Sequence, residues 1–555
     1  MRLSQKRKYQ AIEPDEILID AQNLPGYDST RLEGKIEKAI EPKAFRDFII
    51  LASIVGLAFM VQLVRLQVVN AAAYATRAEA NRLEEQTLLA ERGSITDRSG
   101  VTLAENQKNP ELGYTTRLYP LNDAAAHLIG YVSYPKKDKN GNWTRKETTG
   151  LAGIESAYDS ELQGLNGVEI RETDAKGNTV SGSTVRPPAQ GATITLSIDA
   201  GLQKELYDAL KARAMDSHFT GGSGVIMDIE TGEVYALASY PSFDPAQVSA
   251  GGSEVSALLT DSRAPFLDRA ISGLYAPGSV VKTLVASAAL QEGIITPEKH
   301  ILSTGAISVP NPYDPKHPSI FKDWRAQGWV DIRHAIAVSS DVDFYEVGGG
   351  FEDQRGLGIA LLQKYFSAFG LGSGTGIAIP GEQAGVVPSP TWKAATFNGE
   401  RWLLGDTYHT AIGQYGFQVT TLELVRAVAA IANGGTLVAP TLRKDERGTT
   451  QSVGIADANL QVVREGMLLA TQPGNTAAAL DIAGMRVGGK TGTAQVGVHN
   501  EFVNSTVIGF FPYDHPRYAF AAVMERGKAG TQIGAPAMMS GVLNWVVANR
   551  SDMLH

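Results

Sequence analysis

The chain has 555 residues, more than one hydrophobic core usually holds, so two or more domains are expected. Its net charge of -9 argues against a general nucleic-acid binder. The sequence contains no cysteine, which excludes disulfides, thiolate zinc sites and cysteine nucleophiles and suits a chain that faces an oxidising compartment.

An uncharged apolar segment near the N-terminus predicts a membrane anchor. Residues 48–64 read FIILASIVGLAFMVQLV, and a helix of that length spans roughly 26 Å at ~1.5 Å per residue, near the short end for a bilayer crossing. We therefore predict a cytoplasmic tail over residues 1–47 and a transmembrane anchor over residues 48–65. Lysines and arginines are concentrated before the segment, which predicts that the rest of the chain lies outside the cytoplasm.

Two other interpretations of this segment are possible. A buried core helix is disfavoured because charged residues crowd both ends of the segment. A cleaved signal peptide, with Ala71 and Ala73 as a small-residue cut site, would normally have a shorter basic region and a cut closer to the apolar stretch. An uncleaved anchor fits the pattern best.

The residues after the anchor divide into two regions. Residues 69–91 have helix-forming composition and predict a helix or stalk, and strand-like pieces follow around a turn at Ser99-Gly100. We place the first region at residues 66–194. A strand over residues 192–199 then leads into a helix that Asp199 would cap, and a hairpin turns at Thr231-Gly232.

The second region, residues 195–555, mixes strands and helices. Helical patterns dominate its middle, three strand patterns follow from residue 485 onward, and a final helix is predicted over residues 538–549. Helices inserted within an antiparallel sheet indicate an α+β catalytic domain.

A serine and a lysine one helical turn apart lie in YAPGSVVKTLVASAAL. Pro277-Gly278 breaks the chain just before Ser279, and Lys282 falls on the same face of the predicted helix. A serine hydroxyl becomes a good nucleophile when a neighbouring base removes its proton, and a partly desolvated lysine can be that base. Taken alone, the pattern is weak, and Ser279 could simply cap the helix.

The segment AIAVSSDVDFYEVG supplies a second polar cluster. Ser339 and Asp341 follow an apolar run and would project from a loop or from the end of a helix. Helix capping is again the plain alternative, because serine and aspartate do this routinely.

The stretch GMRVGGKTGTAQ, residues 484–495, admits two interpretations. Its first eight residues match the phosphate-loop pattern, which would put Lys490 on a nucleotide phosphate. However, glycines and β-branched residues after Lys490 oppose the helix that a phosphate loop requires and favour a strand. We therefore disfavour nucleotide binding, and a structural glycine-rich strand remains open.

These three elements, in this order, resemble the active site of penicillin-recognising serine acyltransferases. The stretches RGSITDRSGVTLA, GLAGIESAYDSELQGLNG, LASYPSFDP, YAPGSVVK, GDTYHTAIGQYG and VGGKTGTAQ are similar to successive signatures of class B penicillin-binding proteins, over about residues 45–545. FKDW at residues 321–324 and aspartate at position 341 resemble the elongation type, penicillin-binding protein 2, more than the division type.

The resemblance implies an architecture and an activity. Residues 66–194 would form an extended β-rich pedestal of the dimerisation type. Residues 195–555 would form a transpeptidase domain, with helices on both sides of an antiparallel sheet and a helical subdomain. The expected activity is a peptidoglycan D,D-transpeptidase that cross-links stem peptides in cell elongation, uses no cofactor and is inhibited by β-lactams.

The resemblance also implies four catalytic roles. Ser279 would attack the penultimate D-alanine carbonyl of a donor stem peptide and release D-alanine, with Lys282 as its base. Ser339 would relay a proton to the leaving amine. Asp341 would organise Lys282, although a carboxylate there favours the charged lysine and weakens it as a free base.

The remaining site residues follow from the glycine-rich strand. The resemblance implies that Lys490, Thr491, Gly492 and Thr493 hold the terminal carboxylate of the donor, with Lys490 also counted among the catalytic residues. The backbone N–H groups of Ser279 and Thr493 would form the oxyanion hole. A terminal carboxylate independently calls for a cation and hydroxyl groups beside the nucleophile.

The sequence also bears on partners and metals. The family pattern implies an inner-membrane location and a RodA-like glycosyltransferase of the shape, elongation and division family as partner. Only about twenty residues separate the Ser99-Gly100 turn from AAAHLIGYVSYP, where the family carries a longer pedestal head, which weakens the partner prediction. Asp314, His317 and Asp323 could suggest a metal site, but without cysteine we expect ordinary surface residues and no metal.

Other functions remain to be separated from this one. They are a division-type transpeptidase, a β-lactamase or β-lactam sensor, and a non-enzymatic scaffold for wall synthesis. The sequence shows no general base placed to deacylate a penicilloyl enzyme, and the intact serine and lysines argue against a decayed site.

Overall fold

The fold is described from a computed structural model of the chain. It describes residues 42–80, 83–139, 141–173, 179–311, 314–531 and 533–554. The predicted cytoplasmic tail falls outside the described residues as far as residue 41. The chain divides into two compact units, the first made of Met1–Gln86 and Ile170–Ser183 and the second of Thr87–Glu169 and Thr184–His555.

The first unit begins with the apolar helix. Helix α1 spans Pro42–Val64, a π-helical turn covers Arg65–Val69, and α2 spans Ala71–Ala80. Pro42–Val69 is long and apolar enough to cross a membrane, and no part of its most apolar window is buried in protein. The predicted anchor therefore lies within a helix of the required kind. A helix does not continue to residue 91, because the chain becomes a strand from Leu83.

Short strands and helices follow as far as residue 195. The strands, in chain order, are β1 Leu83–Leu88, β2 Ile95–Thr96, β3 Thr102–Asn109, β4 Tyr114–Leu118, β5 Val132–Ser133, β6 Lys136–Lys137, β7 Trp143–Arg145, β8 Thr149–Gly150, β9 Gly167–Thr173, β10 Thr179–Arg186 and β11 Ile194–Thr195. The helices are α3 Ala126–Ile129, α4 Gly153–Ala157 and α5 Asp159–Leu162. Strands β1, β9 and β10 form one sheet, and β11, β2, β3 and β4 form another.

The sequence predicted a turn at Ser99-Gly100 and a strand over residues 192–199 in this region. The turn at Ser99-Gly100 is confirmed, because β2 and β3 flank it and pair antiparallel. The stretch that is short relative to the family is mostly one hairpin, β3 and β4. The strand predicted over residues 192–199 is reduced to Ile194–Thr195, since Asp199 already caps the next helix by accepting a 2.7 Å hydrogen bond from Leu202 N.

The rest of the chain forms the α+β region that the sequence predicted. Its strands are β12 Gly221–Asp228, β13 Val234–Tyr240, β14 Ile301–Ser303, β15 Ala306–Val309, β16 Ser319–Lys322, β17 Gly328–Val330, β18 Thr436–Val438, β19 Thr450–Ser452, β20 Gly488–Val496, β21 Phe502–Phe511 and β22 Tyr518–Lys528. Its helices are α6 Ala200–Asp216, α7 Pro245–Ala250, α8 Ser253–Thr260, α9 Lys282–Gln291, α10 Ile332–Val338, α11 Asp341–Gly349, α12 Gly358–Ala368, α13 Pro390–Thr396, α14 Leu404–Ala411, α15 Thr421–Ala432, α16 Asp457–Thr471 and α17 Ala535–Asn549. The last helix thus begins three residues earlier than predicted.

A five-stranded antiparallel sheet organises this region. Its order is β13-β12-β22-β21-β20, so the glycine-rich strand β20 lies at one edge. Side chains of β22 alternate between two cores: Ala519 and Ala521 face one, and Phe520 and Ala522 face the other. Helices α6 and α17 cover the second face, and α15 and α16 cover the first. The alternation follows from the two-residue period of a strand.

Helix α9 lies in the first core and brings the candidate nucleophile to β20. All residues from Lys282 to Leu290 are buried, which makes this an internal helix. The preceding 3-10 turn, Gly278–Val281, packs against β20. The candidate site therefore forms where an internal helix starts beside the edge strand of the sheet.

Candidate active site

Ser279 lies in the 3-10 turn that precedes α9. The turn is closed by a hydrogen bond from Lys282 N to Ser279 O, so the α-helix begins at Lys282 and not at Ser279 as predicted. Gly278 has φ +59°, a left-handed conformation that glycine adopts without strain. Ser279 is half-buried, and its hydroxyl makes no hydrogen bond to any residue in the described part of the chain.

Three glycines let the backbone close tightly around this turn. A Cβ on Gly492 would lie 2.6 Å from Pro277 O, and a Cβ on Gly278 would lie 3.1 Å from Thr493 O. On the other side, Gly278 N donates to Gly413 O at 3.0 Å, and a Cβ on Gly413 would lie 2.2 Å from Gly278 O. Side chains at these positions would push the turn that carries Ser279 away from the segments around Gly492 and Gly413.

Lys282 is fully buried, and its ammonium group donates hydrogen bonds to the loop between α10 and α11. Lys282 Nζ donates to Asp341 Oδ1 at 2.6 Å and to Ser339 O at 2.8 Å, with Ser339 Oγ at 3.5 Å. A buried ammonium needs such partners because it has lost its hydration. The two segments that the sequence singled out, around residues 282 and 340, thus meet directly.

Lys490 reaches the same hydroxyl from the sheet. Lys490 Nζ donates to Ser339 Oγ at 2.9 Å and to Thr491 O at 2.8 Å, and the residue is fully buried. Ser339 Oγ therefore stands between two lysine ammonium groups. Burial lowers the pKa of Lys490 well below its ordinary value, and the charge of Lys282 lowers it further while Asp341 opposes both.

The loop between α10 and α11 presents Ser339 and Asp341. Ser339 ends α10 in a left-handed conformation, with φ 60° and ψ 43°, and Ser340 caps α11 by accepting from Asp343 N. This turn directs residues 339 and 341 toward Lys282. Asp343 points into the protein, where burial raises its pKa to about 8.

The strand itself departs from the phosphate-loop alternative. Residues 488–496 form an extended strand paired with β21, not a loop that leads into a helix. Lys490, Gly492 and Ala494 are buried along one face, whereas Thr491 is half-buried and Thr493 is exposed. Beside the nucleophile turn, the two threonines are thus members of this strand that a ligand at the sheet edge can reach, and Gln495 is exposed farther along it.

The metal alternative finds no support in the described residues. Asp314 and His317 pair with each other at 2.8 Å on the surface, and no group of three or more possible metal ligands occurs in the part of the chain that the structure describes. Asp323 was expected to be an ordinary surface residue, and that expectation is wrong. Its carboxylate accepts hydrogen bonds from residues 340–342, beside the candidate site.

Sequence reasoning missed Asp323 and Gly413. FKDW and GDTYHTAIGQYG serve in the sequence only as signatures, and the one role considered for Asp323 is that of a metal ligand. A lone aspartate or glycine in a loop carries no signal of which distant backbone it contacts. Their roles become visible only when the loops are placed in space.

Two family models match the chain. The penicillin-binding protein dimerisation domain matches residues 114–196, and the penicillin-binding protein transpeptidase domain matches residues 222–541. The chain belongs to the penicillin-binding protein transpeptidase family. Lys282, Lys490 and the Ser279 turn all lie inside the residues that match the transpeptidase domain.

Known members of the family are similar over most of the chain. The peptidoglycan D,D-transpeptidase MrdA of Acinetobacter baumannii is 32% identical over 75% of this chain, and the match spans 64% of that protein, slightly less than two thirds of its length. A solved complex of penicillin-binding protein 2 with MreC from Helicobacter pylori aligns with a TM-score of 0.70 and 26% identity, covering 84% of this chain and 99% of the solved one.

A second solved structure extends the similarity. It is described as the structural coordination of polymerization and crosslinking by a peptidoglycan synthase complex, and it aligns with a TM-score of 0.70 and 26% identity over 90% of this chain and 97% of that one. The α+β architecture with a pedestal and one apolar N-terminal helix is therefore that of known penicillin-binding proteins.

Proposed function

We propose that this protein is an elongation-type peptidoglycan D,D-transpeptidase that works through an acyl-enzyme on Ser279. The observation that carries the proposal is the pair of buried lysines on either side of Ser339 Oγ, at 2.9 Å from Lys490 and 3.5 Å from Lys282. Two desolvated ammonium groups are costly, and such an arrangement is typical of a site for proton transfer or anion binding.

Acylation begins with attack of Ser279 Oγ on the penultimate D-alanine carbonyl of a donor stem peptide. Lys282 can accept a proton only as the neutral amine, and in that form it takes the hydroxyl proton while the new ester bond forms and the peptide bond to the terminal D-alanine breaks. The leaving nitrogen takes up a proton through Ser339 Oγ, which both lysines contact. Asp341 keeps Lys282 in place by an ion pair at 2.6 Å.

Charge that develops on the carbonyl oxygen needs donors fixed in advance. The backbone N–H groups of Ser279 and Thr493 are proposed for this role, and the close contact of Gly278 with the Thr493 backbone supports it. The acyl group then passes to an amine of a second stem peptide, which restores the Ser279 hydroxyl and forms the cross-link.

Recognition of the donor is assigned to the edge strand. Thr491 and Thr493 offer hydroxyl groups there, Gly492 permits close approach, and Lys490 supplies positive charge from below. A substrate carboxylate would favour the charged form of Lys490, which burial disfavours in its absence. Binding of an anionic peptide terminus therefore stabilises the protonated form of Lys490 that burial alone disfavours.

We infer that the protein is held in the inner membrane by α1, with the transpeptidase domain outside the cytoplasm. The basic residues that precede the apolar segment support this direction. A RodA-like glycosyltransferase of the shape, elongation and division family is the proposed partner. Similarity to a peptidoglycan synthase complex supports that pairing.

The function is tested with the full chain in detergent and a stem pentapeptide that ends in D-Ala-D-Ala. We expect D-alanine release and only slow turnover of penicillin by the wild-type protein, and neither reaction with Ser279→Ala. Rapid hydrolysis of penicillin would indicate a β-lactamase instead. A folded wild-type protein that neither releases D-alanine nor reacts with a fluorescent penicillin would leave only a scaffold function.

A further inference from the structure

Asp323 follows strand β16 and sends its carboxylate to the start of helix α11. Its own backbone is tied down by a 2.9 Å hydrogen bond from Asp323 N to Gly305 O. Oδ2 accepts from Ser340 Oγ at 2.8 Å, from Asp341 N at 2.9 Å and from Val342 N at 3.1 Å. Three consecutive residues at the helix start are therefore bound to one oxygen atom.

Two further contacts complete the environment of this carboxylate. Ser303 Oγ donates to Oδ2 at 3.1 Å, and Trp324 N donates to Oδ1 at 2.7 Å. Five donors on one side chain define its position closely. The segment from β14 to β17 is thereby joined to the loop that carries Ser339 and Asp341.

The helix start needs such a partner. The first N–H groups of a helix have no acceptor within the helix. Among the described residues, the Ser340 hydroxyl oxygen accepts from one of them, Asp343 N, at 3.3 Å. The Asp323 carboxylate accepts from the other two N–H groups, those of Asp341 and Val342. Its negative charge is also favourably placed at the positive end of the helix. The contact is thus both a cap and an anchor.

The anchored residue is the one that pairs with the base. Asp341 N is held by Asp323, and Asp341 Oδ1 lies 2.6 Å from Lys282 Nζ. Ser339, immediately before, is in a left-handed conformation that a non-glycine residue adopts only when its surroundings hold it there. If the anchor is removed, residues 340–342 lose three hydrogen bonds that help to fix the distance of Ser339 and Asp341 to the lysines.

We propose that Asp323 is a positioning residue for the transpeptidation reaction, which sets Ser339 and Asp341 against Lys282 from outside the reacting groups. It rests on the proposed function, because the bonds it orders are those of the acylation site. Asp323 itself makes no hydrogen bond or ion pair with Ser279, Lys282 or Lys490 within the described residues. Its effect is exerted through the backbone of α11.

The test separates reversible binding from the chemical step. Full-length protein in detergent is mixed with a fluorescent penicillin, and the dissociation constant of the first complex and the acylation rate constant are measured for wild type, Asp323→Ala, Asp323→Asn and Ser340→Ala. Asp314→Asn is the matched control, since Asp314 is an aspartate of the same segment that pairs only with surface His317. Thermal melting of each variant is recorded in parallel.

We expect Asp323→Ala to lower the acylation rate constant by about tenfold or more with the dissociation constant kept within about twofold, because misplacement by ~1 Å can cost about 100-fold in rate. Asp323→Asn should fall between Ala and wild type: its amide oxygen can accept from α11, but its NH2 group then faces the N–H of Trp324. Ser340→Ala should lower the same rate constant less, and Asp314→Asn should match wild type.

Each other result counts against a specific claim. If wild type and Asp314→Asn do not become labelled, the proposed function fails. If both are labelled and Asp323→Asn acylates as fast as wild type, the positioning role is overturned, even where Asp323→Ala does not fold. A loss confined to the dissociation constant would also overturn it.

Discussion

Lys490 Nζ lies 2.9 Å from Ser339 Oγ, although 151 residues separate them in the chain. The contact joins the edge strand of the sheet to the loop that also binds Lys282. It places a second buried ammonium in the site, and burial together with the charge of Lys282 disfavours its protonated form. The chemistry and the stability of the protein are therefore coupled at this residue.

Replacing Lys490 with methionine should change how stability depends on pH. The pKa of Lys490 is lowered in the folded protein, whereas in the unfolded chain it is about 10.4. Between these two pKa values the unfolded chain binds the proton that the folded protein has lost, so the free energy of unfolding of wild type rises with pH. At pH values below the lowered pKa of the folded protein, Lys490 is protonated in both the folded and the unfolded chain. The buried charge then destabilises the folded protein to its full extent.

Urea unfolding at several pH values measures this prediction. The unfolding free energy of Lys490→Met minus that of wild type should be largest at the acidic end and should decrease toward pH 10. Labelling by fluorescent penicillin should be strongly reduced in the variant. A difference that stays constant over this range would show that Lys490 keeps its ordinary pKa.

Asp343 gives a pH dependence of the opposite sign. Burial raises its pKa to about 8, whereas about 3.9 is expected in the unfolded chain. The folded protein therefore binds more protons between these values, so this group makes stability fall as pH rises from about 4 to about 8. Asp343→Asn should flatten the decline by at most about 1.4 kcal/mol per pH unit.

The measurement for Asp343 uses the same unfolding series. Burial also raises the pKa of Glu346 on the same helix to about 7, and the charge of Glu346 contributes to the raised pKa of Asp343, so the difference in slope includes this coupling. Identical slopes for the variant and wild type would mean that Asp343 is ionised in the fold at neutral pH.

Gly492→Ala tests the close contact between β20 and the nucleophile turn. The new Cβ would lie 2.6 Å from Pro277 O, so strand and turn must separate. We expect an acylation rate at least about tenfold lower, because the N–H groups of Ser279 and Thr493, which we propose as oxyanion donors, would no longer converge. Gly541→Ala is the control, since nothing lies within 4 Å of its added Cβ. Equal rates in both variants would remove this contact from the account.

The orientation of the anchor can be tested because the chain has no native cysteine. Ser253→Cys, on the surface of α8, should react with a membrane-impermeant thiol reagent in intact spheroplasts. Ser4→Cys, ahead of the apolar helix, should react only after lysis. Reaction of Ser4→Cys in intact cells would reverse the proposed topology.

The sequence carried much of the local structure. The strand character of β22, the turn at residues 231–232 and the strand character after Lys490 were all predictable, because each depends on neighbours in the chain. The start of α9 was displaced by one turn, since the tight approach of β20 imposes a 3-10 turn at Gly278–Val281.

What could not be predicted depends on residues that are distant in sequence. The role of Asp323 comes from a loop folding onto α11, and aspartate in a loop gives no sign of its acceptor geometry. The lowered pKa of Lys490 comes from burial against Lys282, 208 positions away by their numbers. Such contacts are properties of the assembled fold, whereas motif order only suggests that they exist.

Ser279 is the residue whose acylation the proposed function requires. The full-length protein should be treated with benzylpenicillin, digested, and mapped by mass spectrometry. We predict one penicilloyl adduct, on the peptide that contains Ser279, and its loss in Ser279→Ala with the variant still folded. An adduct on another residue, or none on folded wild-type protein, would contradict the account.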